Sequence, residues 1–592
     1  MQTLQKQRLT GIGLALPVLI VLVVVFGIPL VQLFLTSLNA PMFSVSNYLR
    51  FLQDPANVRV VLQTVQISVI ATAACLIVGY PTAYLIVAAP KRLRIVLIVL
   101  VMIPYLTSGL ARTYAWIMIL GDSGLINNLL LQFGIISSPL LLIYNRMALY
   151  VGMVHIMLPM MVLSLVSVML GIDKSLMAAA RSMGAPPFTA FCRVFFPLSI
   201  PGVRSATLLV FVICLGFYII PASLGGLGDV MLSNFLASQV TTTFDLVSVA
   251  TGSFVLLAIA IVVLSILGLD LSGTQGLAAQ VPRRSRFARP SLIGWLTRSL
   301  TEFSTGFRAK RWTAHRYRPR GEGWLPEIGG KVLVLLVLTY LLAPSVVVIV
   351  MSFSSGSYIE FPPSGLSLRW YRSFFGNTAW YGAAWTSMEI GLAVALLSTI
   401  VGTLAAYGLS RTSPRLRSTL NVVILTPITI PVIVVGVACY FGLANLGLIG
   451  SRTGVILAQS IGAISYVVVI VSATLANFDR RLEQAAQSMR AGPLQTFARV
   501  TLPLIRPGII GGAFLAFIHS FDEVVITSLV SGFSVTTLPL KMWENIRNAI
   551  DPTLAAVASL LTVLPMLWLI GMCVVWQRSE SKAQFPIPSA AN

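Results

Sequence analysis

Ala178-Ala179-Ala180-Arg181-Ser182-Met183-Gly184-Ala185, closed by Val194-Phe195-Phe196-Pro197, is one of two copies of a pattern in this chain. The other reads Gln484-Ala485-Ala486-Gln487-Ser488-Met489-Arg490-Ala491, closed by Val500-Thr501-Leu502-Pro503. Twelve residues separate Gly184 from its proline, and twelve separate Arg490 from Pro503. The alanine-rich start favours helix. Gly184, or a break near Pro186-Pro187 and Gly492-Pro493, ends that helix and turns the chain. A second short amphipathic helix follows, and the proline marks the start of a long apolar run. Two short helices joined by a turn make a rigid knob of the kind that fits a partner's groove.

The surroundings of these knobs are apolar. Of 592 residues 57% are hydrophobic and 10% charged, and the mean hydropathy is +0.89. A water-soluble domain carries far more charge. Apolar runs long enough to cross a bilayer lie near 11–35, 60–88, 96–120, 146–170, 203–222 and 246–270, then near 331–353, 382–410, 418–443, 455–476, 508–530 and 553–576. The expected fold is an all-α polytopic membrane protein with about twelve transmembrane helices. The run at 11–35 is too long for a signal-peptide core and lacks a clear small-x-small cleavage site, so it reads as a retained span.

Orientation follows from the basic residues. Lys6 and Arg8, then Lys91, Arg92 and Arg94, then Lys174, Arg181, Arg193 and Arg204 fall on one side. In the second set, Arg411, Arg415 and Arg417, then Arg480, Arg481, Arg490, Arg499 and Arg506, fall on that same side. With both termini cytoplasmic, every one of these loops is cytoplasmic and the alternate loops carry fewer Lys and Arg. The net charge of +22 is explained in this way. Its scatter between spans argues against nucleic-acid binding. Cys75, Cys192, Cys214, Cys439 and Cys573 have neither zinc-site nor disulfide spacing and read as small apolar residues.

The two sets of spans are copies. Gly79-Tyr80 to Tyr84 aligns with Gly402-Thr403 to Tyr407 at an offset of 323 (402 less 79), as do Pro104 with Pro427 and Gly124 with Gly447. Beyond these the offset is 306: Asp173 with Asp479, Pro197 with Pro503, Pro201-Gly202 with Pro507-Gly508. An insertion in the first external loop, between about 127 and 145, accounts for the change. Both copies run in the same direction, so the halves form a parallel repeat about an axis along the membrane normal.

The expected domains are a tail, first span and external loop at 1–59 and a first permease domain at 60–270. A basic linker at 271–328 follows, then a span and external loop at 329–381, a second permease domain at 382–576 and a tail at 577–592. The Arg- and Pro-rich linker reads either as a tether or as a segment lying on anionic lipid, for which Trp295, Trp312 and Trp324 are suited.

The duplicated knob resembles the EAA loop of ABC-type importer permeases. That pattern is Glu-Ala-Ala, three residues, Gly, nine residues and an apolar-x-Leu-Pro ending. The resemblance covers most of both halves and implies the type I, binding-protein-dependent fold. It implies that Ala178, Ala179, Ala180, Gly184 and Pro197, with Gln484, Ala485, Ala486, Arg490 and Pro503, form ATPase-coupling loops. The acid of the pattern is Ala178 in one copy and Gln484 in the other, with Glu483 one place early, and its glycine is Arg490 in the second. A salt bridge made by the family glutamate is therefore lost or rerouted. The chain has no phosphate-binding loop: Gly329-Gly330-Lys331 lacks the upstream glycine and the following hydroxyl. The resemblance places ATP and Mg on separate ATP-binding subunits, expected as a homodimer, with no cofactor on this chain. A periplasmic solute-binding protein would dock on the external loops near 36–58 and 354–380 of a bacterial inner-membrane protein.

Charges within spans are costly and usually functional. Glu389, Asp522 and Glu523 stand at similar expected depth, opposite Gln66, Gly216 and Phe217 of the first half, so the acidic character is one-sided. Two readings stand side by side. The three acids line a pathway for a cationic solute, with Phe217, Tyr218, Tyr114 and Trp116 adding aromatic faces. Alternatively they form an interhelical hydrogen-bond cluster or reach to the surface. The stretches Met231-Leu232-Ser233-Asn234-Phe235 with Gln239, and Phe521 to Ile526 followed by Thr537-Leu538-Pro539-Leu540-Lys541, look like the spermidine/putrescine branch with its two subunits fused. Related branches carry ferric iron, opines or phosphonates. An ion-coupled secondary carrier is disfavoured by the paired loops. An enzyme is disfavoured because His155 and His519 have no nucleophile or metal cluster around them in the sequence.

Overall fold

The computed structural model describes residues 2–243, 245–266, 324–356, 360–363, 365–532, 534–548 and 551–583. The expected linker at 271–328 lies almost wholly outside them, as does the end of the tail. The described residues are helical, with one isolated antiparallel bridge between Ser354 and Leu366. Eleven helices among them are long and apolar enough to cross a membrane, and a sharply bent pair makes twelve.

The bends were not visible as apolar runs. In place of one span near 96–120, the helix Lys91–Leu106 stops and Gly109–Leu120 starts again, its first turn capped by the Ser108 hydroxyl on the Ala111 amide. In place of one span near 418–443, Pro414–Thr429 and Val432–Asn445 meet at 101°. Pro431 stands at that corner, where its ring and missing amide forbid a continuous helix. The runs near 203–222 and 508–530 also end early, at Leu215 and Phe521. Each restarts as one short helix, Ile219–Leu224 and Val525–Val530.

The repeat in the sequence is a repeat of contacts. Lipid gives helices no hydrophobic drive to associate, so close backbone approach at small residues does that work. Gly202 faces Val168, and Gly508 faces Thr474, at the common offset of 306. An added Cβ would lie 2.8 Å from the Val168 Cβ in one case and 2.1 Å from the Thr474 Oγ1 in the other. The Leu232 amide donates to Thr64 Oγ1 at 2.8 Å, and the Leu538 amide to Ser387 Oγ at 2.7 Å.

The first helix of each half crosses to the other. Gln2–Leu22 packs on Thr378–Ser410, and its continuation wedges Pro29 against Gly442. Asn445 Nδ2 donates to Gln32 Oε1 there at 3.1 Å. Conversely, Trp324–Ser352 packs on Gly109–Leu120, and its Tyr340 hydroxyl donates to the Val151 carbonyl at 2.6 Å. One core thus joins first-half residues to Val337, Leu341 and Val347, and the other joins second-half residues to Val18, Leu22 and Leu33.

Gly508→Leu should strain this packing by about 1–3 kcal/mol, as overpacked cores do. The detergent-purified chain should lose monodispersity at lower temperature. Gly382→Leu, where an added Cβ meets nothing within 4 Å, should not shift it.

Candidate functional site

Two regions carry the candidate residues: the paired loops and the level at which the broken helices of the two halves meet. Each loop begins with an aspartate cap. Asp173 accepts the Ser175 amide at 2.8 Å, and Asp479 accepts the Arg481 amide at 2.9 Å. Hydrogen bonds from Ser175, backbone first, hold the exposed Asp173 carboxyl below its ordinary range. The first short helices are Lys174–Ser182 and Arg481–Ser488. The chain then turns through a left-handed residue, Gly184 at φ +87° and Arg490 at φ +63°. Glycine adopts this conformation freely, whereas an L side chain there costs about 1–2 kcal/mol. The second short helices, Pro187–Ala190 and Pro493–Thr496, run through a wide turn into the spans that begin with Phe196-Pro197 and Leu502-Pro503.

The outer surface of each loop is apolar and matched. Met183 and Met489 are 83% and 84% exposed, and Phe188 and Leu494 are 68% and 79% exposed. Leu176 and Leu482 are exposed beside them. Ala178, Ala179, Gln484 and Ala485 share this outer side, while Ala180 is buried and Ala486 half-buried. Large exposed apolar side chains in register on two knobs mark contact surfaces.

The missing acid is explained by what lies beneath the loops. One residue of shift turns a side chain about 100° around a helix, given 3.6 residues per turn. Glu483 therefore points inward, where it is buried. It accepts from Arg411 Nη2 and from Thr501 Oγ1, each at 2.5 Å. The Arg411 guanidinium lies 4.3 Å above the Tyr407 ring, which packs edge-on to Phe497 at 4.7 Å. In the first half these positions are Ala88, Met177 and Phe195. There Tyr84 is edge-on to Phe191 and Phe195 at 5.1 and 5.0 Å. One loop is anchored to its span by an ion pair and the other by an aromatic cluster. Arg411 reads from the sequence only as a topology-setting charge.

At the second level, the end of one half touches the helix break of the other. Asp522, just past Phe521, accepts from Ser108 Oγ at 2.5 Å and from the Gly109 amide at 3.0 Å. The symmetry-related contact sets Gly216 against Pro431 and Val432, where an added Cβ would be 3.2 Å from both. Arg112, one turn beyond Ser108, is buried, and its Nε donates to the Ser108 carbonyl at 3.5 Å. The hydropathy reading passed over Arg112. The same rule that singled out the acids, a charge within a span, would have found it.

The other candidates have separate partners. Glu523 caps the short helix Val525–Val530 by accepting the Ile526 amide at 2.9 Å. Glu389 is half-buried and pairs with Arg452 at 2.6 Å. The first half has Arg146 at that place, paired instead with Asp229 at 2.7 Å. The carbonyls of Phe217 and Tyr218, exposed by the break after Leu215, accept from Ser233 Oγ and from Asn234 Nδ2. The Tyr218 ring meets Trp543 of the other half at 5.3 Å. Tyr114 and Trp116 are buried, and Trp116 packs against His155 and Tyr340. Among the described residues no group of three or more His, Cys, Asp or Glu could hold a metal.

Removing either charge of the Arg411–Glu483 pair leaves its partner unsatisfied, which costs about 1–3 kcal/mol. Arg411→Ala alone and Glu483→Met alone should each lower thermal stability. The triple change Arg411→Ala, Glu483→Met, Thr501→Phe, which installs the first-half set, should recover most of it. At the turns, Gly184→Ala should speed proteolysis of its loop and Arg490→Gly should not.

Residues 76–271 and 398–577 both match the family described as binding-protein-dependent transport system inner membrane component. The chain is 34% identical over 197 residues to the spermidine/putrescine transport system permease protein PotB of Escherichia coli K12, covering 33% of this chain and 71% of that one. It is 33% identical over 261 residues to the putrescine transport system permease protein PotI of the same organism, covering 43% and 92%. A crystal structure of a bacterial ABC transporter involved in import of the acidic polysaccharide alginate matches 46% of this chain and 100% of its own at 17% identity, with a TM-score of 0.33. With two matched regions spanning more than half of its length, the chain belongs to the family of binding-protein-dependent transport system inner membrane components and carries two copies of that permease domain in one polypeptide.

Proposed function

We propose that this permease forms the pathway of an ATP-driven importer for a small cationic organic solute of the polyamine class. Separate ATP-binding subunits dock on its two loops. The observation that carries the coupling reading is the pair of matched apolar knobs, Met183 with Phe188 and Met489 with Leu494, exposed at the same offset in both halves. Two like knobs call for two like grooves, as a dimer of ATPase subunits offers. ATP and Mg are held there, and closure of that dimer draws the two loops together. The anchors beneath each loop pass this movement to Pro55–Ala88 and Thr378–Ser410, which carry Tyr84 and Tyr407. The loops then face the cytoplasm of a bacterial inner membrane, as do both termini, and a periplasmic solute-binding protein meets the opposite face.

The solute class is supported by the relatives named for spermidine and putrescine and by Asp522 at the meeting of the halves. A second reading, an opine or phosphonate, is favoured by Arg112, a buried cation at the same level.

In proteoliposomes with its ATPase and binding protein, spermidine or putrescine should stimulate ATP hydrolysis several-fold over opines, phosphonates or ferric iron. Met183→Asp with Met489→Asp should release the ATPase on purification. Retention of the ATPase by that double variant would sink the docking reading.

A further inference from the structure

We infer that Asp522 is a switched carboxylate. While the halves are closed it occupies a carboxylate site formed by Ser108 and the first turn of Gly109–Leu120, with Arg112 buried one turn on, and when the halves part it passes to the ammonium group of the solute. The handover to an ammonium rests on the cationic-solute reading above; the closed contact does not.

Asp522 belongs to the second half, yet both of its oxygens are held by the first, one by Ser108 Oγ and one by the Gly109 amide. That turn opens a helix of 12 residues, whose leading amides carry partial positive charge. One turn on, Arg112 is 6% exposed. Its Nε reaches the Ser108 carbonyl at 3.5 Å, and its Nη1 has no hydrogen-bond partner. A buried guanidinium with an open donor is costly. Asp522 is held one turn away from it, at Ser108 and Gly109. Helix terminus and hydroxyl together make a site for a carboxylate, with the buried guanidinium one turn on, and Asp522 shows it filled.

The symmetry-related contact has none of this. Gly216 stands in place of Asp522, Pro431 in place of Ser108 and Val435 in place of Arg112. Glu523 next door is already committed to the cap of its own short helix. Asp522 is therefore the acid in this region whose two hydrogen bonds both cross between halves.

In the closed state both Asp522 oxygens are engaged by the first half, so a cation approaching this level does not find that carboxylate free. When the halves part, Ser108 and Gly109 leave with the first half and Asp522 remains on the second. Its lost partners are replaced by an ammonium group. A cationic solute thereby lowers the cost of opening, and opening raises affinity for the solute, as linkage requires. Selectivity and closure are the same contact in its two states.

The test uses the full transporter in proteoliposomes. Ser108→Ala weakens only the closed contact: solute-free ATP hydrolysis should rise several-fold and KM for spermidine should fall, as the linkage requires. Asp522→Asn removes both roles: hydrolysis should rise similarly and KM should rise about tenfold, the worth of one charge-assisted contact. A disulfide between Ser108→Cys and Asp522→Cys, in a chain with its own cysteines replaced, should form at rest and fail to form with the ATPase dimer trapped closed. Equal disulfide yield in both states overturns the switch. Normal spermidine transport with an unchanged KM in Asp522→Asn overturns the handover. If the wild type moves no polyamine while the disulfide still discriminates the two states, the solute reading falls with the handover, and the contact between halves stands.

Discussion

In hydrocarbon there is no water to satisfy a loose amide or carbonyl, so a helix can break only where protein supplies the partners. This constraint organises the molecule. Its helix breaks, after Leu106, Thr429, Leu215 and Phe521, gather where the halves meet. There protein groups satisfy them: the Asp522 carboxylate takes the Gly109 amide of the other half, Ser233 and Asn234 take the carbonyls of Phe217 and Tyr218, and Glu523 takes the Ile526 amide. A membrane protein concentrates its polar chemistry at this level because that is where its backbone is open.

The sequence displayed the class of fold through apolar runs and the repeat through fixed offsets, because both are properties of spacing. The breaks were hidden because hydropathy averages over Ser108 and Pro431, each surrounded by apolar neighbours. Ser233 and Asn234 carry no spacing signal of their own in the sequence, and the structure gives them work, closing the backbone after Leu215. Glu483 looked displaced by one place from a family pattern. Read around a helix, that one place moves it from the outer face to the inner face, under Arg411. Arg112 was legible in principle but stood among apolar residues in a span counted as uniform. The crossing of Gln2–Leu22 to the far half had no signal, since apolar residues do not say which neighbour they will meet.

The chain carries two copies of one permease domain, and matched positions differ in chemistry. At the loops the second half uses charge where the first uses shape, and at the helix breaks the charges are divided between the halves. Arg411 and Glu483 stand where the first half has Ala88 and Met177. Asp522 stands where it has Gly216, and here the balancing cation, Arg112, lies in the first half. The two halves are therefore complementary and not equivalent.

The exchanged first helices give the fusion a different meaning from that of a tether. Because Val18, Leu22 and Leu33 complete the core of the second half, and Val337, Leu341 and Val347 that of the first, neither half has a finished interior alone. What the single polypeptide adds is stoichiometry: every first half is made with its own partner at high local concentration, so no copy waits in the bilayer with an open groove. Mispaired assemblies of two like halves, each lacking its complement of charge, are avoided at synthesis instead of being sorted out afterwards.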